Sequence, residues 1–149
     1  MTRAFFLLCA VAAGALPGWA ALGGSAESVA ADQVKFQAKR KMTEMPGYTV
    51  HEISRDDGEV IREYVTTAGK VFGVSWSGPT IPDLAQLLGS YHAEFRNTLS
   101  AQPKSFGRRP AAIHNPDLVV ETGGHMRAFQ GRAYLNSMLP SGVPPETIK

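Results

Sequence analysis

Residues 69–91, GKVFGVSWSGPTIPDLAQLLGSY, constrain the fold more than any other part of this chain. From Val71 to Ser77 the residues alternate in character. Successive side chains on a strand point to opposite faces. Phe72, Val74 and Trp76 are therefore expected on one face, with Gly73, Ser75 and Ser77 on the other. Gly78-Pro79 ends the strand, because proline has no N–H to give a ladder. Thr80 and Asp83 then have the spacing of a capping box, with Pro82 in the first helical turn. Leu84, Leu87, Leu88, Tyr91, Phe95 and Leu99 follow at the i, i+3, i+4, i+7 intervals of a helix with one apolar stripe. Burying each Leu or Phe is worth about 1.5–3 kcal/mol. That outweighs the roughly 1 kcal/mol that Gly89 costs against Ala inside a helix. The stripe predicts an amphipathic helix packed onto the face that carries Phe72, Val74 and Trp76.

The remaining elements fall in place beside that pair. Residues 48–54 and 60–67 read as strands on either side of an Asp56-Asp57-Gly58 turn. With residues 71–77 they make a three-strand meander. Both faces of 60–67 carry apolar residues (Val60 and Tyr64; Ile61 and Val65), which leaves its inner face open. Residues 102–117 contain Pro103, Gly107, Pro110 and Pro116 and read as a loop whose charges, Lys104, Arg108 and Arg109, are solvated. Residues 118–122 and 125–129 read as a hairpin around Gly123-Gly124, its second strand continuing towards Leu135 with a bulge at Gly131. The expected fold is α+β: an antiparallel sheet of about five strands with one amphipathic helix on one face. The segment after residue 20 is expected to cover part of the other face.

The start of the chain has a different character. Met1-Thr2-Arg3 leads into the uncharged run AFFLLCAVAAGAL, and Leu16-Pro17-Gly18-Trp19-Ala20 ends in small residues. That order describes a secretory signal peptide, with cleavage expected after Ala20 or Ala21. The apolar run of about thirteen residues is short of the roughly 20 that span a bilayer, so no stable membrane insertion is expected after cleavage. The chain then divides into a leader (1–20), an N-terminal segment that is partly helical or flexible (21–47), and a single α+β domain (48–149). A short helix is expected over 25–37, with Ser25 as its cap. Taking 20 residues from 149 leaves 129 and removes Cys9, the single cysteine. A domain of that size can bury a sufficient core without disulfides. Losing Arg3 leaves 14 basic and 13 acidic side chains. That balance argues against general nucleic-acid binding, which needs a concentrated positive surface. Lys35, Lys39, Arg40 and Lys41 cluster near the expected flexible end and read as solvated.

Few residues are arranged for chemistry. His51, His92, His114 and His125 have no His, Cys or Asp partner at a metal-ligand spacing on one element. There is no G-x-S-x-G elbow, no G-x-G-x-x-G and no Walker pattern, so no catalytic residue, metal or cofactor is expected. The most unusual segment is 123–134, GGHMRAFQGRAY. On a regular strand His125, Arg127 and Phe129 share a face. With Arg132 and Tyr134 they are the candidate ligand-binding residues, suited to an anionic or sugar-like ligand. The competing reading puts Met126, Ala128 and Tyr134 in the core and pairs the arginines with Glu121, Glu63 or Glu52 across the sheet.

Several stretches together resemble a known family. They are Leu22-Gly23-Gly24 with Val29-Ala30-Ala31-Asp32, Tyr48-Thr49-Val50-His51-Glu52, Gly69-Lys70-Val71-Phe72 and Trp76-x-Gly78-Pro79. Pro82-Asp83-Leu84, Leu87-Leu88-Gly89-Ser90-Tyr91, and the run from Gly123 to Phe129 with Gly131-Arg132-Ala133-Tyr134 complete the set. On these residues the chain resembles an uncharacterised family of exported bacterial proteins, domain of unknown function 2844. The resemblance implies export and one domain, and brings no activity, ligand or catalytic residue with it. The function expected from the residues is a non-enzymatic envelope or periplasmic binding or accessory module, whose partner is an envelope protein or an anionic or sugar ligand. Two alternatives stand beside it: a small hydrolase or lyase using His125 with a carboxylate, and an inhibitor or chaperone-like partner of a co-exported enzyme.

Overall fold

A computed structural model describes residues 22–25, 39–103 and 111–149, and these build one seven-stranded antiparallel sheet. The strands are β1 (Lys39–Met45), β2 (Tyr48–Ser54), β3 (Val60–Thr66), β4 (Val71–Gly78), β5 (Ala112–His114), β6 (Leu118–His125) and β7 (Ala128–Leu135). Their order across the sheet is β1-β2-β3-β4-β7-β6-β5. Between β4 and β5 the chain forms α1 (Leu84–Leu88), a 3-10 turn (Gly89–Tyr91) and α2 (His92–Ala101). The leader, residues 26–37 of the expected early helix, and Lys104, Arg108 and Arg109 lie outside the described residues.

The sheet has seven strands rather than about five. β1 escapes a reading of periodicity because KRKMTEM is exposed along nearly its whole length and has no apolar face to mark it. It pairs with β2 through the Pro46-Gly47 turn, where Gly47 adopts φ 85. The sheet therefore starts within the segment expected to be helical or flexible. β5 is three residues long and buries only Ile113, too little to show as a pattern.

The helix stripe packs as expected against Val74 and Trp76, with Leu87, Leu88 and Phe95 buried. Phe72 does not share that face. The β3–β4 register shifts between Tyr64 and Val65, which face Gly73 and Val71. Phe72 is the extra residue of a β-bulge, and such a residue breaks strict alternation. It turns to the opposite side, into a second cluster with Tyr48, Tyr64, Val119, Tyr134 and Ile148. β3 thus buries both faces: Ile61 and Val65 towards the helices, Tyr64 away from them.

Two local expectations at the helix also change. Asp83 is itself the N-cap, its Oδ1 accepting from the N–H groups of Ala85 (2.9 Å) and Gln86 (3.4 Å). Thr80 and Pro82 precede the helix. Gly89 adopts φ 52, ψ −124, a conformation open mainly to glycine, and divides the helical stretch into α1 and α2. Leu22 packs on the helix side, its N–H bonded to the Leu87 carbonyl, while Gly23 N–H bonds to the Val71 carbonyl. The opposite face is covered instead by residues 139–149, which form a strap across it through Leu139, Val143 and Ile148.

Candidate functional site

The strap crosses a polar rung that runs the width of the sheet. In register, Lys41 lies beside Glu52, Glu52 beside Arg62, Arg62 beside Ser75, Ser75 beside Arg132, and Arg132 beside Glu121. Because facing residues on paired strands share a side, these six side chains line up on the strap face. Arg62 Nε bonds to Glu52 Oε2 at 2.8 Å, and Arg132 Nε to Glu121 Oε2 at 2.7 Å. His114 Nε2 lies 2.9 Å from the other Glu121 oxygen. One carboxylate is thus held between an imidazole and a guanidinium, and the Arg132 hydrogen bond keeps Glu121 below its ordinary pKa.

The arginines use their remaining donors on the strap. Arg132 Nη1 donates to the carbonyls of Pro145 (3.2 Å) and Ile148 (3.3 Å). Arg62 Nη1 donates to the main-chain oxygen of Lys149 at 3.4 Å. Tyr64 hydroxyl donates to the same oxygen at 2.9 Å and accepts from the Lys149 N–H at 3.1 Å. Ile148 is fully buried over Gly73, where a Cβ would come within 2.7 Å of its Cδ1. Glycine at 73 is therefore what opens the socket. Ser75 Oγ, in the middle of the rung, is buried and has no hydrogen-bond partner among the described residues. A groove lies on each side of the strap. One has a volume of about 670 Å³ and includes Arg132, Glu121, Gln130 and Thr122. The other, of about 720 Å³, includes Tyr48, Tyr64 and Val50. Arg62 and Lys149 line both.

The four residues singled out in the sequence separate into two places. Arg132 and Tyr134 are two apart on β7 and share the strap face, the guanidinium carbon 5.9 Å from the centre of the Tyr134 ring. Burial raises the Tyr134 pKa. His125 and Arg127 are elsewhere, at the tip of the β6–β7 hairpin. His125 faces Ala128 across the ladder, so Met126 and Arg127 form the turn and do not lie on a strand with Phe129. Arg127 takes φ 64, in the left-handed region. The His125 ring contacts the Met126 carbonyl at 3.3 Å and forms no ion pair with a carboxylate among the described residues. The His–carboxylate pair that the structure does form is His114 with Glu121, and it depends on the short strand β5, which sequence periodicity does not reveal.

A second polar cluster sits on the helix face near the β1 edge. Arg40 Nη2 lies 2.5 Å from His51 Nδ1, and His51 faces the buried Glu63 across the β2–β3 ladder. Burial, then the charge of Arg40, lowers the His51 pKa. Among the described residues no group of three or more His, Cys, Asp or Glu is placed to hold a metal ion, and no helix is long and apolar enough to cross a membrane.

Fold and site together define an α+β domain with helices on one face of its sheet and a self-supplied strap on the other, held by arginine and tyrosine donors. The chain belongs to the family described as Protein of unknown function (DUF2844), whose model matches residues 18–148. No curated protein and no solved structure matches it.

Proposed function

We propose that the protein is a non-enzymatic binding or accessory module of the cell envelope, exported through its leader, that presents the strap face of its sheet to a partner. The observation that supports this reading is the use made of the polar groups there. Arg62, Tyr64 and Arg132 converge on main-chain atoms of an extended segment. Glu52 and Glu121 already offset the two guanidinium charges. What remains is a set of donors suited to main-chain and hydroxyl oxygens. The groove beside Gln130 and Thr122 offers open ground next to them.

The test is site-specific photo-crosslinking in cells. A photoreactive residue at Gln130, exposed in the groove, is compared with one at Arg96, exposed on α2. The expected result is a discrete adduct from position 130, absent from position 96, on a chain cut after Ala20 or Ala21 and recovered from the envelope fraction. Equal adducts from both faces would overturn the reading. So would turnover of an envelope substrate that His125→Ala abolishes.

A further inference from the structure

The strap makes an imperfect fit with the face it covers. It leaves Ser75 Oγ buried without a partner among the described residues, in a rung whose neighbours are both hydrogen-bond donors. Its bonds from Arg62 and to Ile148 from Arg132 are long, at 3.4 and 3.3 Å. It also leaves grooves of about 670 and 720 Å³ unfilled on its two sides. Yet the features it uses are those by which an extended peptide is recognised: donors spaced to meet main-chain oxygens, and a closed socket for one branched apolar side chain. The socket floor is Gly73, and Tyr64, Phe72 and Tyr134 belong to the cluster around Ile148. The approach to it, Leu139-Pro140-Ser141-Gly142-Val143-Pro144-Pro145, contains three prolines and a glycine at φ 82, and little regular structure ties it down.

We infer that the strap is a displaceable occupant, in cis, of a site for an extended segment of a partner protein carrying a branched apolar anchor residue. The inference rests on the binding-module reading and names the class of partner. A longer segment would cover the grooves that the strap leaves open and bring a carbonyl within reach of Ser75. A tethered occupant competes at an effective concentration on the order of mM, so an incoming segment binds well only when the strap is weakened.

The probe is a fluorescein-labelled peptide of the chain's own residues 141–149, SGVPPETIK, titrated into the full chain by anisotropy. Ile148→Ala, with folding checked by circular dichroism, should bind it at least ~10-fold more tightly than the unmodified chain, as expected when a tethered competitor is weakened. Adding Gly73→Val, which fills the socket, should abolish the gain. No binding to folded Ile148→Ala, equal affinity in both chains, or binding that survives Gly73→Val would overturn the inference. If Ile148→Ala does not fold, the unmodified chain is read directly. Hydrogen exchange of the Lys149 amide, bonded to Tyr64, should accelerate with excess peptide, and an unchanged rate would overturn the inference. Failure here with face-specific crosslinking intact discards the peptide class and keeps the binding module; loss of both discards both.

Discussion

Gly131→Ala should be among the most damaging small substitutions in the molecule. Gly131 faces Trp76 on β4 and Thr122 on β6, so it lies mid-sheet beneath the indole. A Cβ there would come within 2.2 Å of Trp76 Cζ2, 2.6 Å of Cε2 and 2.7 Å of the Glu121 carbonyl oxygen. Carbon atoms settle at about 3.5–4.0 Å, so the ring would have to retreat by more than ~1 Å. Trp76 is buried among core residues and the other neighbour is backbone, so neither side yields cheaply. Overpacking of this kind costs about 1–3 kcal/mol. The gain from replacing a strand glycine offsets only about 0.5–1 kcal/mol of that. Because both neighbours are fixed, the upper half of that range applies, about 2–3 kcal/mol, and a net loss of about 1–2.5 kcal/mol is expected, against a typical total of about 5–15. Urea unfolding followed by far-ultraviolet circular dichroism measures it. Trp76→Leu costs about 2–4 kcal/mol alone, as a large-to-small core change. It also removes the clash, so the double variant should be less destabilised than the sum by about 1 kcal/mol or more. A Gly131→Ala chain within about 0.5 kcal/mol of the parent, or strict additivity, would refute the packing argument.

Three further outcomes are expected. His51 is held below its ordinary 6.5 by burial and by Arg40. The unfolded chain therefore takes up a proton more readily, and the stability this contributes is present above pH 6.5 and declines as pH falls through that value towards the folded pKa. Urea midpoints should drop between pH 7.5 and pH 5.5, and His51→Gln should flatten the slope; a slope unchanged by the substitution would contradict the assignment. Glu121, held below 4.5 chiefly by the Arg132 hydrogen bond, contributes stability present above pH 4.5 and lost as pH falls further. Because its side chain is 35% exposed, Glu121→Gln should cost under about 1 kcal/mol at pH 7 while removing part of the acid limb in a pH titration of the urea midpoint. Arg127 sits at φ 64, where a side chain costs about 1–2 kcal/mol and glycine does not. After glycine's own entropic cost, Arg127→Gly should stabilise by up to about 1 kcal/mol and raise the melting temperature; a lower melting temperature would mean that the arginine side chain holds the turn.

What is legible in the sequence follows the range of the forces involved. The helix stripe and β4 show there because Leu84, Leu87, Leu88 and Phe95 encode their own period and bury on one face. β1 does not, because its pairing depends on β2 and the Pro46-Gly47 turn while all its side chains but Arg40 stay exposed. At the site, Arg132 and Tyr134 are legible as neighbours two apart on one strand. His125 and Arg127 fall away from the place their spacing suggests, because Gly123-Gly124 has the composition of a turn without being one. Gly124 serves strand contact instead. At φ 112 a Cβ there would lie 2.1 Å from the Ala128 carbonyl oxygen, so glycine permits close approach of β6 and β7, and the turn falls at Met126-Arg127.

The strap face is the least legible part, and the reason is a single residue. Strict alternation places Phe72 with Val74 and Trp76, beneath the helix, and of the pair Phe72-Gly73 sends only the glycine to the other side. The bulge instead sends both Phe72 and Gly73 to the strap face, supplying an aromatic wall and an open floor side by side. Neither residue alone makes a socket: the ring without the glycine leaves no depth, and the glycine without the ring leaves a depression open to water. Ile148 buries there only because the two face the same way. The register slip that hides this face from sequence periodicity is therefore what builds the seat for the strap, and it is also what any competing segment would have to use.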